Sequence, residues 1–270
     1  MKNIFGLFFV LLLTLLNCKK EDSSAVKIAE SSKAEEVMVN LLSTDSAQVA
    51  DSVKLDENLT ASFKSAVLVF PNLTNKTLLD SIYLPVNIKL KEYSKENISM
   101  ELNAQKKQYY DDTKKALEDW KPDFAQTWEQ NSDMKLFSEL RDFITIKYTS
   151  DGYTGGAHGY YNELYRVFDL KTNKNIQLAD LLKVKDAKIW SRILMDHFLK
   201  NDLGKGQAEM LLVKEITLTE NFYFDQEHLY FHYNQYEITA YAAGPVVIKI
   251  PLSEIKPFLN QDFRTKLNLN

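Results

Sequence analysis

The stretch from Tyr148 to Asp169 constrains the fold of this chain more than any other. It holds four of the chain's eight glycines, between two runs in which aromatic and β-branched residues alternate with polar ones. Alternation with a period of two is typical of β-strands. Glycines between strands indicate a backbone at positive φ or in close approach to another segment. The sequence therefore predicts a β-hairpin whose glycine-built tip carries Tyr153 and His158.

Helices and strands are mixed along the rest of the folded part, which we expect to begin near Leu59. Semi-apolar residues at steps of three and four predict a long helix from Asn97 to Trp120. Shorter helices are predicted at 75–83, 208–214 and 253–258, the last with Ser253 as its N-cap.

Strand patterns at 63–70, 128–140, 221–233 and 246–250 complete the prediction. Strands that cluster late, with helices between them rather than in strict alternation, favour an α+β fold. We expect a mainly antiparallel sheet with helices on one face, in two intertwined subdomains. Their predicted bounds are 59–125 and 126–270, with the hairpin in the second.

Residues 1–17 are predicted to be a lipoprotein signal peptide. Lys2 supplies a positive charge, and the apolar run from Ile4 to Leu16 is too short to span a bilayer comfortably. The run ends at Leu-Leu-Asn-Cys, which resembles a lipobox, and Cys18 is the chain's one cysteine. Cys18 is therefore the predicted lipidation site. The alternative is an ordinary secretory signal with an incidental cysteine.

Residues 18–58 are predicted to be a flexible tether. The segment from Ser23 to Glu57 is rich in Ser, Ala and charged residues and has no aromatic residue. The charged run 19–22 resembles a surface-export signal, and its alternative interpretation is a solvated linker. We expect an outer-membrane lipoprotein, periplasmic or surface-exposed, held to the membrane through its N-terminal lipid.

Several function classes are disfavoured by the sequence. The net charge of −4 argues against a nucleic-acid partner. His228 and His232 stand in a predicted strand, where four residues span about 13 Å, whereas one zinc ion needs each nitrogen at about 2.1 Å. We therefore expect no metal and no other cofactor. The chain has no G-x-S-x-G elbow and no cysteine beyond Cys18 for a thiol nucleophile.

His158 has three possible roles in its glycine turn. It could bond backbone carbonyls, hold a ligand, or act as an acid or base near pH 7. Tyrosine offers a large apolar surface with a polar handle, which suits binding surfaces. We expect exposed tyrosines at the hairpin and in the segment QYEITAYAAG. The candidate ligand-binding residues are Tyr153, Gly155, Gly156, His158, Tyr236 and Tyr241.

The run YTGGAHG at 153–159, the Phe-Asp-Leu at 168–170 and the Asp-Leu-Leu at 180–182 carry a resemblance to a known family, as does the run at 229–259. The chain resembles the extracellular module of RsiV-type anti-sigma factors, which sense lysozyme, and the N-terminal region of PdaC-type peptidoglycan deacetylases. It departs from the pattern at Asn173, where members carry glycine, but Asn tolerates the left-handed conformation.

The resemblance implies a non-catalytic binding module of the cell envelope, with a lysozyme-like protein or a peptidoglycan-related glycan as its ligand. Deacetylation belongs to a separate domain of the PdaC type, with an Asp/His metal set, which we do not expect here. An envelope hydrolase acting on glycan or ester bonds through His158 is the alternative. A structural envelope protein without a soluble ligand is a third possibility.

Overall fold

Strand and helix positions come from a computed structural model that describes residues 42–269. The predictions for the signal peptide, for Cys18 and for residues 18–41 of the tether lie outside the described residues. Within residues 42–269, no helix has both the length and the apolar character needed to cross a bilayer.

A six-stranded sheet forms the larger layer, with strand order β1-β2-β3-β4-β5-β6. Its strands are β1 (Asp45–Lys54), β2 (Leu59–Val69), β3 (Gln126–Leu140), β4 (Phe143–Tyr153), β5 (Tyr160–Asp169) and β6 (Lys174–Asn175). All neighbours pair antiparallel except β2 and β3, which run parallel. The predicted α+β class with a mainly antiparallel sheet is confirmed.

Helices α1 (Lys76–Tyr83) and α2 (Lys95–Asp119) connect β2 to β3. Each begins at a polar N-cap, since the Asn75 side chain accepts from the Leu78 amide and the Ser94 hydroxyl accepts from the Asn97 amide. Helix α2 packs across β1 and β2. The prediction that the helix and its apolar face extend to Trp120 is wrong. Helix α2 ends at Asp119, and Trp120 follows it with 53% of its surface exposed.

A three-stranded antiparallel sheet and four helices follow. They are β7 (Phe222–Phe224), β8 (His228–Tyr233), β9 (Val246–Pro251), α3 (Leu178–Leu181), α4 (Ala187–Asn201), α5 (Leu252–Ile255) and α6 (Gln261–Lys266). Helix α4 packs on β9 and buries Trp190, Leu194 and Phe198.

Strands β4 and β5 belong to two hydrophobic cores at once. Ile144 and Ile146 face the core under α1 and α2, whereas Phe143 and Val167 face the core of the small sheet. Successive side chains of a strand point to opposite faces, so a strand with apolar residues at consecutive positions serves two layers. Consequently, β4 is buried on both faces from Phe143 to Ile146.

The structure corrects the C-terminal end of the predicted tether. Strand β1 lies inside the segment 18–58 and pairs with β2 from Asp45↔Val69 to Lys54↔Thr60. Its sequence DSAQVADSVK has few apolar residues, because an edge strand supported by backbone hydrogen bonds needs few. The six-stranded sheet also crosses the predicted subdomain boundary at 125/126, since β2 pairs with β3.

Three shorter predictions are also corrected. The predicted helix at 208–214 is only a 3₁₀ turn, Ala208–Met210. Ser253 is not an N-cap, because α5 begins one residue earlier, after Pro251. Elements of the small sheet also contact the face of β4 and β5 opposite to α1 and α2, so the large sheet is not covered on one face alone. The left-handed turn predicted at Asn173 is confirmed, with φ 55°.

Candidate functional site

The hairpin tip, residues 153–160, takes its shape from glycine, as predicted. Gly155 and Gly156 have φ angles of 89° and 105°, which L-residues with side chains rarely adopt. A Cβ on Gly152 would lie 2.2 Å from the Glu129 carbonyl oxygen, and one on Gly159 would lie 2.5 Å from the Gly152 carbonyl oxygen. Gly155 and Gly156 therefore allow the turn, and Gly152 and Gly159 allow close approach of the backbone.

His158 bonds the backbone of the tip. Its Nδ1 lies 2.9 Å from the Gly159 carbonyl oxygen, which can only accept, so Nδ1 carries the proton in this contact. The imidazole stacks on Tyr241, with ring centroids 4.1 Å apart and planes 22° apart. The Tyr241 hydroxyl donates to the same Gly159 oxygen at 3.1 Å. This arrangement matches the backbone-bonding role among those considered for His158.

Tyr236 extends this stack towards solvent. Its ring centroid is 5.8 Å from that of Tyr241 and 6.3 Å from that of His158, and the residue is 59% exposed. Tyr236 has φ 66°, and its amide donates to the Thr239 carbonyl oxygen. We call the three rings of His158, Tyr236 and Tyr241 the aromatic ledge.

The other side of the tip carries a second aromatic group. Tyr153 packs with Leu117 and Trp128 and donates its hydroxyl to the Gly156 carbonyl oxygen at 3.0 Å. Trp128 stacks on Trp120 at 6.1 Å, and Gly155 lies against the Trp128 ring. Tyr153 is therefore half-buried rather than exposed. The sequence analysis did not predict this tryptophan pair. The signal that could have indicated it is that two of the chain's three tryptophans lie on either side of Pro122.

Two asparagines, one just before β7 and one just after β8, fasten the small sheet to β5. Asn234 accepts from the Glu163 amide at 2.8 Å and donates to the Glu163 carbonyl oxygen at 3.1 Å. Asn221 accepts from the Tyr165 amide and donates to that same carbonyl, both at 2.8 Å. The side-chain amides thus pair with the free edge of β5, so the ledge is preorganised.

A partly buried polar network joins β4 and β5. The Glu163 carboxylate accepts from Lys147, from the Tyr161 hydroxyl at 2.5 Å and from the Tyr165 hydroxyl at 3.0 Å. Burial opposes ionisation of Glu163, but the hydrogen bonds from Lys147 and Tyr161 outweigh it and hold its pKa below the ordinary value. Strand pairing and side-chain bonding therefore both fix β5.

Two of the other histidines lie on β8. The Nδ1 of His232 is 3.8 Å from the Glu163 carboxylate, and burial lowers the pKa of this histidine. His228 lies 3.6 Å from Asp225, at the other end of the strand. Within residues 42–269, no group of three or more His, Cys, Asp or Glu side chains is placed to hold a metal ion.

Residues 169–253 match the family described as "Protein of unknown function (DUF3298)". The match begins at Asp169, whose carboxylate accepts from the Lys171 and Thr172 amides and fixes the turn after β5. The matched segment therefore includes Tyr236 and Tyr241 but not the hairpin tip, which comes before it. Among curated proteins, none matches this chain.

Two solved DUF3298 structures share this fold. A member from Bacteroides fragilis NCTC 9343 superposes with a TM-score of 0.71 at 22% identity, over 85% of this chain and 98% of its own. A DUF3298 protein from Pseudomonas aeruginosa PAO1 gives a TM-score of 0.57 at 18% identity, over 82% and 96%. At these identities the likeness shows the fold alone.

Proposed function

We propose that this chain is a non-catalytic binding module of the cell envelope that docks a protein partner on the aromatic ledge. The ledge is the observation that supports the proposal. Tyr236 is exposed beside the His158–Tyr241 stack, whose two rings both bond the Gly159 carbonyl oxygen, and the backbone amide of Tyr236 bonds the Thr239 carbonyl oxygen. Rigid aromatic rings with polar tips lose little entropy on binding and are frequent hot spots of interfaces.

A lysozyme-like protein is the proposed partner. The resemblance of YTGGAHG and of the segment 229–259 to lysozyme-sensing modules supports this class. The ledge also suits a protein surface, because Tyr236 is exposed to solvent beside the hairpin tip. A peptidoglycan-related glycan is the alternative ligand.

The geometry around His158 favours binding over hydrolysis. A general base needs a partner to orient it and a free nitrogen aimed at the reacting proton. The Nδ1 of His158 bonds the neutral Gly159 carbonyl oxygen, and within residues 42–269 no carboxylate lies within 4.0 Å of its ring nitrogens to stabilise the imidazolium that a general base becomes. Within residues 42–269, ion pairs of histidine with carboxylates involve His197, His228 and His232.

We propose that a lipid on Cys18 holds the module on the outer membrane. The apolar run before Cys18 and the charged segment after it support this localisation. Metabolic labelling with a radioactive fatty acid should mark the full chain but not its Cys18→Ser variant, which should also leave the membrane fraction. Equal labelling of Cys18→Ser and the parent would contradict lipidation at Cys18. Protease treatment of intact cells would then show whether the module faces the periplasm or the cell surface.

Calorimetry with purified lysozymes tests the partner. The chain from Lys19 to Asn270 should bind at least one of the chicken, goose and invertebrate types. Tyr236→Ala should weaken that binding about tenfold or more, as expected when a central interface tyrosine is removed. Phe124→Ala is the matched control, since Phe124 is an exposed aromatic residue outside the ledge, at 62%.

Two results would overturn the lysozyme proposal. One is the absence of heat with all three lysozyme types. The other is a Tyr236→Ala variant that binds as well as Phe124→Ala. Binding of soluble muropeptides that Tyr236→Ala abolishes would instead assign the ledge to glycan.

A further inference from the structure

A second surface lies on the face of the large sheet that carries α1 and α2. Helix α2 packs over β1 and β2, and the core under α1 covers Ile144, Ile146 and Tyr148. Beyond Tyr148, neighbouring positions on β3, β4 and β5 remain open on this face. A cavity of about 440 Å³ opens there, bounded by the connection after α1 on one side and by Tyr160 on the other.

The lining of this cavity is polar but uncharged. Its side chains with amide or hydroxyl groups include Asn87, Gln105, Gln130, Ser150, Tyr160 and Asn162. None of its lining residues is Asp, Glu, Lys, Arg or His, although charged residues make up 26% of the chain. Four other cavities, of about 360 to 560 Å³, each include charged side chains. We call this site the neutral cleft.

Register brings the polar side chains of the cleft together. Ser150 stands opposite both Ser132 on β3 and Asn162 on β5, and residues directly opposite in antiparallel pairs share a face. Gln130 is one step further along β3 on that face. The α2 side is fixed by Gln105, whose Nε2 donates to the Val86 carbonyl oxygen at 3.1 Å.

Several of these groups are available to a ligand. Across residues 42–269, the side-chain polar atoms of Gln130, Ser150 and Asn162 make no intramolecular hydrogen bond. A carboxamide both donates and accepts, and so does a hydroxyl. Such groups complement the hydroxyl and acetamido groups of a sugar, which also donate and accept.

Tyr160 adds an apolar wall to the cleft. Its ring lies against Gly152, where a Cβ would come within 3.0 Å of the ring, and the residue is 40% exposed. A fixed aromatic ring with an open face can pack against the C–H groups of a sugar ring. On the floor, the Tyr148 hydroxyl is satisfied by the Ile82 carbonyl oxygen at 2.7 Å and keeps the buried side of the cleft rigid.

We infer that the neutral cleft binds an uncharged oligosaccharide. Burying a charged ligand without a counter-charge costs free energy, so the uncharged lining selects against acidic and basic ligands. The dense amide and hydroxyl groups select for a ligand with many hydroxyl groups over an apolar one. The inference does not rest on the aromatic ledge, because Gln130 and Asn162 lie outside it.

NMR titration of the chain from Lys19 to Asn270 tests the inference. The probes are the trimers of β-1,4-linked N-acetylglucosamine and of β-1,4-linked glucose, with a trimer of galacturonic acid as the charged comparison. One of the two neutral trimers should shift amide signals of β3, β4 and β5 beside the cleft. Gln130→Ala and Asn162→Ala should each weaken that binding about three- to tenfold, which corresponds to one lost hydrogen bond.

Gln48→Ala is the matched control, since Gln48 is an exposed glutamine on β1, outside the cleft. This variant should bind the trimer as the parent does. Gln130→Ala, Asn162→Ala and Gln48→Ala should all keep the parent's midpoint of thermal unfolding. Tyr236→Ala should leave trimer binding unchanged, which separates the cleft from the ledge. The inference is wrong if neither neutral trimer shifts the cleft signals, if the charged trimer binds equally well, or if Gln48→Ala weakens binding as much as Asn162→Ala.

Discussion

The imidazole of His158 lies flat against the phenol ring of Tyr241, and the hydroxyl of that tyrosine reaches past it to the Gly159 carbonyl oxygen. The contact joins the hairpin tip to a loop that comes much later in the chain. It makes one rigid surface out of two turns.

Replacing Tyr241 should loosen the hairpin tip without unfolding the protein. Tyr241→Ala removes both the stack on His158 and the hydrogen bond to Gly159, whereas Tyr241→Phe removes the hydrogen bond alone. Hydrogen exchange of the amides at 154–159 should therefore be fastest in Tyr241→Ala, intermediate in Tyr241→Phe and slowest in the parent. Equal exchange in all three proteins would show that the tip is held by its glycines alone.

A methyl group at Gly152 should destabilise the hairpin strongly. The added Cβ would meet the Glu129 carbonyl oxygen at 2.2 Å and the Tyr160 hydroxyl at 2.8 Å, so β3 and β4 must separate. We expect Gly152→Ala to lower the free energy of unfolding by about 3 kcal/mol, at the upper end for overpacking. Gly156→Ala is the comparison, with no atom within 4 Å of its Cβ; its positive φ alone should cost about 1–2 kcal/mol.

Urea unfolding of both glycine variants measures this difference. Similar losses for the two variants would mean that the contact with the Glu129 carbonyl oxygen does not exclude a side chain at position 152.

His232 should make the protein less stable as the pH falls below 6.5. Burial lowers the folded pKa of His232 from 6.5, so the unfolded chain binds the proton more readily. The stability it contributes is present above pH 6.5 and is lost as the pH falls through the lower, folded pKa. The charged groups facing it are Glu163 on β5, Lys147 on β4 and Glu237.

The His232→Gln variant isolates this effect. Its free energy of unfolding should fall less between pH 7.5 and pH 5 than that of the parent, measured by urea titration at each pH. Glu163 does not interfere, because its pKa is lowered from 4.5 and its contribution is lost only below that pH. A parent and a variant with the same pH dependence would exclude His232 as the source.

Two tyrosine-to-phenylalanine changes should have opposite consequences. Tyr148→Phe removes a buried hydrogen bond to the Ile82 carbonyl oxygen and should cost about 1 kcal/mol or more. The Tyr109 hydroxyl is buried without a partner within residues 42–269, and burial raises the pKa of Tyr109 to about 12. Removing it in Tyr109→Phe should be neutral or stabilising. Thermal unfolding of both variants measures the two changes in stability. A clear loss of stability in Tyr109→Phe would reveal a bound water or ligand at the Tyr109 hydroxyl.

Deleting β1 should damage the fold even though its sequence is polar. A chain that begins at Leu55 loses the partner of β2 and uncovers Val67 and Val69 along a long apolar edge. We expect it to aggregate or to melt at least about 10 °C lower than a chain that begins at Asn40. Size-exclusion chromatography and circular dichroism would show this. Equal thermal midpoints for the two chains would mean that β1 does not support the fold, in agreement with a tether that extends to residue 58.

Local pattern was sufficient to predict the hairpin and the long helix. Four closely spaced glycines between alternating strands can be accommodated in few ways, and the structure uses each of them for positive φ or close approach. The apolar spacing of α2 and its Ser94 cap act within a few residues. These patterns involve residues that are close in the chain, so they can be recognised without knowledge of the tertiary fold.

Other features have no local signal. The edge strand β1 is polar because its support comes from the backbone of β2, and Tyr153 alternates like an exposed hairpin residue although Trp128 covers it. Three of the six candidate ligand-binding residues form the aromatic ledge, and the contacts of Asn234 with Glu163 and of Tyr241 with Gly159 hold their two segments together. These contacts join residues far apart in the chain.

The sequence by itself determined the α+β class, the glycine bend and the approximate spans of α1 and α2, because period, capping and backbone freedom are properties of short segments. Only the tertiary structure decided which of the 14 tyrosines reach solvent and which uncharged side chains share one cleft. The physical reason is strand register. A side chain's face depends on its position in the strand, but its neighbours depend on which strands pair and what packs over them.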